Sequence, residues 1–245
     1  MANTTFANLK INALRRAGNS YNSSDSTRLS MAGSIINDVL SMIGQYIKGH
    51  PYTLDIGNTV STVADQAYVD LTDTNIIEVL QFTQRSTNSK LKQVNYEEFV
   101  SMFPNTTLVG GVPELVWSPT QTVSVSGVPT WRIYLGWTPS SVITMYYDYV
   151  KNLRFSADGT GADSEFSPLP PVYDRWIYAE FAPIWYGIIS PEAISRIQKA
   201  EAVALEVRTQ CLNDLKNAIS HQMQMGNYGD DKPVVYRLVS VTPQP

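Results

Sequence analysis

The chain has 245 residues, enough for one large or two small domains with a true core. Hydrophobic residues make up 43% but charged residues only 16%, well below the usual quarter, while Tyr numbers 14 and Trp 5. A net charge of −4 argues against a dedicated nucleic-acid binder or a polybasic membrane contact, and a lone cysteine, Cys211, excludes an internal disulfide.

Phe6, Leu9, Ala13 and Ala17 follow helical spacing, and Gly18-Asn19-Ser20 breaks the pattern. Residues 1–20 lack an apolar stretch long enough for a secretion signal, and no 18-residue apolar run exists to span a membrane. The polar stretch Asn22 to Thr27 offers N-caps for a second helix. In it Ala32, Ile36, Val39, Leu40, Ile43 and Ile47 form one buried stripe, ended by Gly49-His50-Pro51.

From about residue 52 to 155 short β-rich runs alternate with turns. Ala67 to Leu71 and Ile76 to Phe82 flank Thr72-Asp73-Thr74-Asn75. Leu115-Val116-Trp117 is followed by the break Ser118-Pro119, and Thr122 to Val125 leads to the turn Gly127-Val128-Pro129. Trp131, Ile133 and Leu135 alternate with Arg132 and Tyr134, and Val142 to Val150 is a further strand. Together they predict antiparallel strands in a small sandwich or open barrel, with a short helix over Tyr96 to Phe103.

A loop from Ser156 to Phe166, read as acidic and flexible, precedes a helix from about Val172 to Ile189 that contains Pro183. An interior proline costs roughly 3 kcal/mol unless packing compensates. Ser190-Pro191-Glu192 has the form of an N-cap, a proline at the first helical position and a first-turn acid. Glu192 and Arg196 would then stand one turn apart and pair. Ile194, Ile197, Ala204, Val207, Cys211, Leu215 and Ala218 carry the stripe of a helix on the order of 45 to 50 Å long. Pro233 to Thr242 reads as an apolar strand that must find a sheet edge, its own or a neighbour's.

The chemistry-bearing residues are sparse. His50 and His221 lie far apart with one cysteine, so no zinc spacing exists, and each reads as a surface residue. Cys211 sits on an apolar stripe, as a core residue would. No GxSxG, Walker or GxGxxG element occurs, and Gly110-Gly111 reads as a turn. Asp158, Asp163 and Glu165 share one loop, but Thr160 and Ala162 break the EF-hand ligand spacing. Trp131, Trp137, Tyr146, Tyr147 and Tyr149 could form a carbohydrate platform or pack in a core or interface. No catalytic residues, cofactor site or metal ligands are nominated.

The order of elements resembles the head-to-tail adaptor (connector) proteins of tailed phages, those of short-tailed phages in particular. The likeness runs from the helix Arg28 to Lys48 through Tyr68-Val69-Asp70-Leu71 and Ile76 to Leu80. Gly110-Gly111-Val112-Pro113-Glu114 is similar to the family's Gly-x-Pro before an aromatic strand. Trp131 to Leu135 with Pro139, then Val142 to Tyr147, is similar to its double-tyrosine strand. The acidic loop and Ser167-Pro168-Leu169-Pro170-Pro171-Val172-Tyr173 lead into its paired C-terminal helices.

The resemblance implies an α+β fold. Residues 1–50 and 156–225 would form a helical bundle, 51–155 an inserted antiparallel sandwich or barrel, and 226–245 an extended arm. It implies a structural virion protein at the head-tail interface, assembled in the host cytoplasm. Such a protein forms a twelve-fold homo-oligomeric ring between the portal and the tail tube or nozzle, with DNA passing non-specifically through it. It would be no enzyme, carry no cofactor and touch no membrane. Val234, Val235, Tyr236, Leu238 and Val239 are the expected partner-binding strand. The alternative is a tail-associated carbohydrate-binding module.

Overall fold

The computed structural model describes residues 4–18, 25–73, 75–84, 89–104, 116–123, 129–136, 138–156, 158 and 160–225. The chain divides into two compact units, residues 53–152 and the remainder on either side. The fold is α+β, with helices in the flanking segments and sheets in the insert.

In the flanking unit, α1 (Phe6–Arg16) starts on Thr5, whose side chain accepts from the Asn8 amide. Helix α2 (Ser26–Tyr46) starts on Asp25, capped in the same way onto Arg28. Such caps satisfy amides that a first turn leaves unpaired. Phe6, Leu9, Ala13, Ile36, Leu40 and Ile43 are all at most 1% exposed, so the predicted stripes are the core faces. The insert also carries a helix, α3 (Tyr96–Met102), capped by Asn95 and with Phe99 buried.

Helices α4 (Asp174–Ile189) and α5 (Ile194–Met225) form an antiparallel hairpin, as Arg175 meets Asp214, Glu180 meets Arg208 and Tyr186 meets Arg196. Helix α4 runs unbroken through Pro183. The 32 residues of α5 make it about 48 Å long. Its start corrects an expectation. Ser190 caps the end of α4, and Pro191 and Glu192 lie in the turn between the helices. Glu192 is therefore outside α5, and Arg196 stacks on Tyr186 instead of pairing with it.

The loop read as flexible is pinned at its described residues. Asp163 takes the ammonium of Lys10, a side chain 1% exposed, and Asp158 accepts from Asn37 at 2.6 Å. Glu165 accepts from the Ser156 amide and hydroxyl, and its backbone oxygen accepts from the Phe6 amide. These three residues tie the loop to α1 and α2.

The insert holds two four-stranded sheets. The strands are β1 (Leu54–Ser61), β2 (Tyr68–Leu71), β3 (Ile76–Gln84), β4 (Ser89–Lys90), β5 (Lys92–Gln93), β6 (Val116–Val123), β7 (Pro129–Leu135) and β8 (Thr144–Lys151). One sheet is ordered β1-β8-β3-β4 and the other β2-β7-β6-β5. All described pairings are antiparallel except β5 with β6, which departs from the expected antiparallel set. Among the described residues neither sheet closes on itself, so the barrel form is corrected: β1 bonds only β8 and β4 bonds only β3. Strand β6 also runs through Ser118-Pro119, where a break was predicted. Among the described residues β5 pairs only with Val116 and Trp117, so no described strand asks Pro119 for a donor on that side. One core draws Val69, Leu71, Ile133 and Leu135 from one sheet and Val79, Phe82, Met145 and Tyr149 from the other.

Candidate functional site

In the flanking unit a groove of about 490 Å³ opens where α1 meets the α4–α5 hairpin. Its floor is small and apolar: Ala179 and Ala182 from α4, with Ala200, Val203 and Val207 from α5. Small residues at facing positions leave a trough where larger ones would interlock. Its rim carries four cations, Arg16, Arg175, Arg196 and Lys199.

Two of these cations lie over aromatic rings. The Arg16 guanidinium lies 4.5 Å from the centre of the Tyr178 ring, and that of Arg196 lies 4.1 Å from Tyr186. Burial pushes the Tyr178 hydroxyl above the ordinary tyrosine range, so it stays a neutral phenol at physiological pH. Arg196 also donates to the Ala17 carbonyl at 3.4 Å. Arg175 is bound to Asp214 at 2.8 Å. Among the described residues, Arg16, Arg196 and Lys199 form no ion pair within 4.0 Å. A chain of net charge −4 thus gathers four cations at one trough.

The same hairpin is clamped by a part-buried network. Glu180 accepts from Arg208 twice, at 2.7 and 2.9 Å, and from the Trp176 indole at 3.1 Å. Arg208 reaches on to the Tyr46 hydroxyl of α2 at 2.9 Å. This forked pairing locks the register of α4 against α5 and so fixes the rim.

Other residues singled out from the sequence fall elsewhere. His50 is 6% exposed, not on the surface as predicted. The Tyr52 amide donates to its Nδ1, and burial lowers its pKa. Cys211 is fully buried, and burial raises its thiol pKa while the Arg175 guanidinium draws it back. Tyr147 and Tyr149 are buried in the β core, and Trp131 donates its indole N–H to the Ile76 carbonyl. Packing, not display, occupies these rings. The Tyr149 hydroxyl hydrogen-bonds Asp73, and burial foremost holds it above the ordinary tyrosine range. Trp137, Gly110, Gly111 and the strand residues Val234, Val235, Tyr236, Leu238 and Val239 lie outside the described residues.

The groove itself was missed by sequence reasoning. Its cations come from residues 16, 175, 196 and 199, on three helices. The one local signal was Arg196, Lys199 and Val203 sharing a face of α5 beside the core stripe.

Among the described residues, no group of three or more His, Cys, Asp or Glu could hold a metal ion, and no helix is long and apolar enough to cross a membrane. No protein-family model matches the chain, and no curated protein matches it.

Proposed function

We propose that the chain is a structural virion protein, a head-to-tail adaptor whose copies form a ring joining a phage portal to its tail. The observation that carries this reading is uncovered apolar surface along one long helix. Ile194, Val203 and Leu205 of α5 are 62%, 48% and 59% exposed, although large aliphatic side chains gain about 25 cal/mol per Å² when covered. A 32-residue helix with such a surface fits a component that neighbours cover.

In this reading the helices make the ring and the two sheets of the insert act as a small sandwich facing the tail. Residues 226–245 reach out as an arm, docking on the portal through Val234, Val235, Tyr236, Leu238 and Val239 by strand addition. The ring passes DNA without sequence preference, and its work is mechanical, with no cofactor and no turnover. The buried Tyr147 and Tyr149 weigh against a carbohydrate platform on the insert.

The test uses the portal protein encoded with this chain. Electron microscopy of portal mixed with the full chain should show an added ring with the portal's symmetry. Deleting residues 229–245 should leave the circular dichroism and melting of the chain intact but abolish portal binding. A full-length chain that adds no density to the portal would overturn the adaptor reading.

A further inference from the structure

Helix α5 presents two different strips on opposite sides. Its inward direction is set by Ile197, Ala204, Arg208, Cys211 and Leu215, which are buried or half-buried. At 100° per residue, Arg196, Lys199, Ala200, Val203 and Val207 fall roughly 100° to one side of that direction, as the groove wall. Ile194, Gln198, Glu201 and Leu205 fall roughly 80° to the other side, so the two strips face apart by nearly half a turn.

The strips are chemically complementary. The groove has an apolar floor, and the cations Arg16, Arg196 and Lys199 at its rim form no ion pair within 4.0 Å among the described residues. The far strip sets Ile194 and Leu205, both about three-fifths exposed, on either side of Glu201. Glu201 is exposed, and its neighbours at three and four places are Ile197, Gln198, Ala204 and Leu205, so its own helix offers it no cation. No ion pair holds it among the described residues.

We propose that the far strip of α5 in one copy docks into the basic groove of the next copy, making this the subunit contact of the assembly. The proposal deepens the ring reading and rests on it for the fact that copies meet. Surfaces on opposite sides of one helix cannot meet within a subunit. A two-fold dimer cannot satisfy both with a single partner either. The contact is therefore head-to-tail and repeats from copy to copy, closing into a ring when the rotation per step allows. Leu205 and Ile194 cover the alanine and valine floor, and Glu201 reaches the rim at Arg196 and Lys199. A nucleic acid suits the groove less well. The faces of Tyr178 and Tyr186 that bases would stack on are already taken by Arg16 and Arg196, and a phosphate backbone would leave the floor uncovered.

Sedimentation velocity of the full chain over a concentration series tests this. The wild type should associate beyond the dimer, and Lys199→Glu or Glu201→Lys alone should weaken association at least tenfold. Both side chains are exposed and neither is held by an ion pair among the described residues, so each variant should melt as the wild type does. Combining the two reversals in one chain should restore association. Mixing Lys199→Glu with Leu205→Asn should give a one-to-one complex and nothing larger, because only one contact in the pair survives. A wild type that stays monomeric up to millimolar concentration, or a double reversal no better than the single ones, overturns the contact. Retention of double-stranded DNA that Lys199→Glu abolishes without changing association overturns it in favour of nucleic acid. None of these failures touches portal binding, which tests the adaptor reading separately.

Discussion

At the scale of single residues, the ionised groups of the helical unit are its most sensitive points. The Glu180 side chain is 6% exposed, and Arg208 supplies two of the hydrogen bonds it accepts. Arg208→Met should cost about 3 kcal/mol, because it strands a buried carboxylate, and thermal melting reads this directly. Replacing both partners, Glu180→Met with Arg208→Met, should cost less than Arg208→Met alone, because no charge is then left uncompensated. A double variant less stable than the single one would mean that the pair itself stabilises the fold. His50 gives a pH dependence of definite sign. Burial lowers its folded pKa, so the unfolded chain binds a proton more readily than the folded one. The contribution is complete above the ordinary imidazole value of about 6.5 and is lost as the pH falls through the lowered folded value. His50→Asn keeps an acceptor for the Tyr52 amide and should flatten the stability profile in that window. Denaturant midpoints measured from pH 7.5 down to 5 decide it, and an unchanged slope in the variant would place the titration elsewhere.

Elements were legible in the sequence where burial is one-sided and periodic. The stripes of α1 and α2 and the alternation of β7 are such cases, because each element meets the core along a single face. Strand β1 escaped notice for a physical reason. Among the described residues it bonds only β8, Ile56 is 64% exposed, and a bulge at Gly57, with φ of +78°, breaks its alternation. The anchored loop escaped for another. Its acids look solvated in sequence, and only the fold brings Lys10 and Asn37 to them. That anchoring has its own test at Gly33 of α2, where the chain passes so close that an added Cβ would lie 1.7 Å from the Asp158 carbonyl oxygen. Backbone cannot yield as a flexible side-chain end does. Gly33→Ala should destabilise by about 1–3 kcal/mol, the usual cost of overpacking. Ala32→Gly, one residue away, should serve as the propensity control at about 1 kcal/mol or less beyond its lost packing. A Gly33→Ala variant as stable as the wild type would show the loop free to retreat.

At the scale of the whole molecule, the insert enters and leaves the helical unit through strands that pair with each other. Leu54 of β1 stands opposite Val150 of β8, so within a residue or two of its ends the insert's chain runs as paired strands about 5 Å apart. The helical unit therefore needs only a short bridge between Tyr52 and Leu153 to keep its chain path. Its core is its own, since Phe6, Ile36, Leu40, Trp176, Ile177 and Phe181 bury one another and the cluster takes no residue between 53 and 152. Removing residues 53–152 and joining 52 to 153 by a few glycines should leave a cooperatively melting helical protein. Its helicity per residue should exceed that of the full chain, because α1, α2, α4 and α5 all lie in the retained part and only the short α3 in the excised one. Insertion of one unit into another is tolerated when the junction ends are close and few contacts cross it. The basic groove and the far strip of α5 both lie in the retained part. The shortened chain should therefore keep the concentration-dependent association of the full one, read by sedimentation. A shortened chain that is helical but non-cooperative would mean that the insert completes the helical core. One that melts cooperatively yet stays monomeric would move the subunit contact onto the β unit.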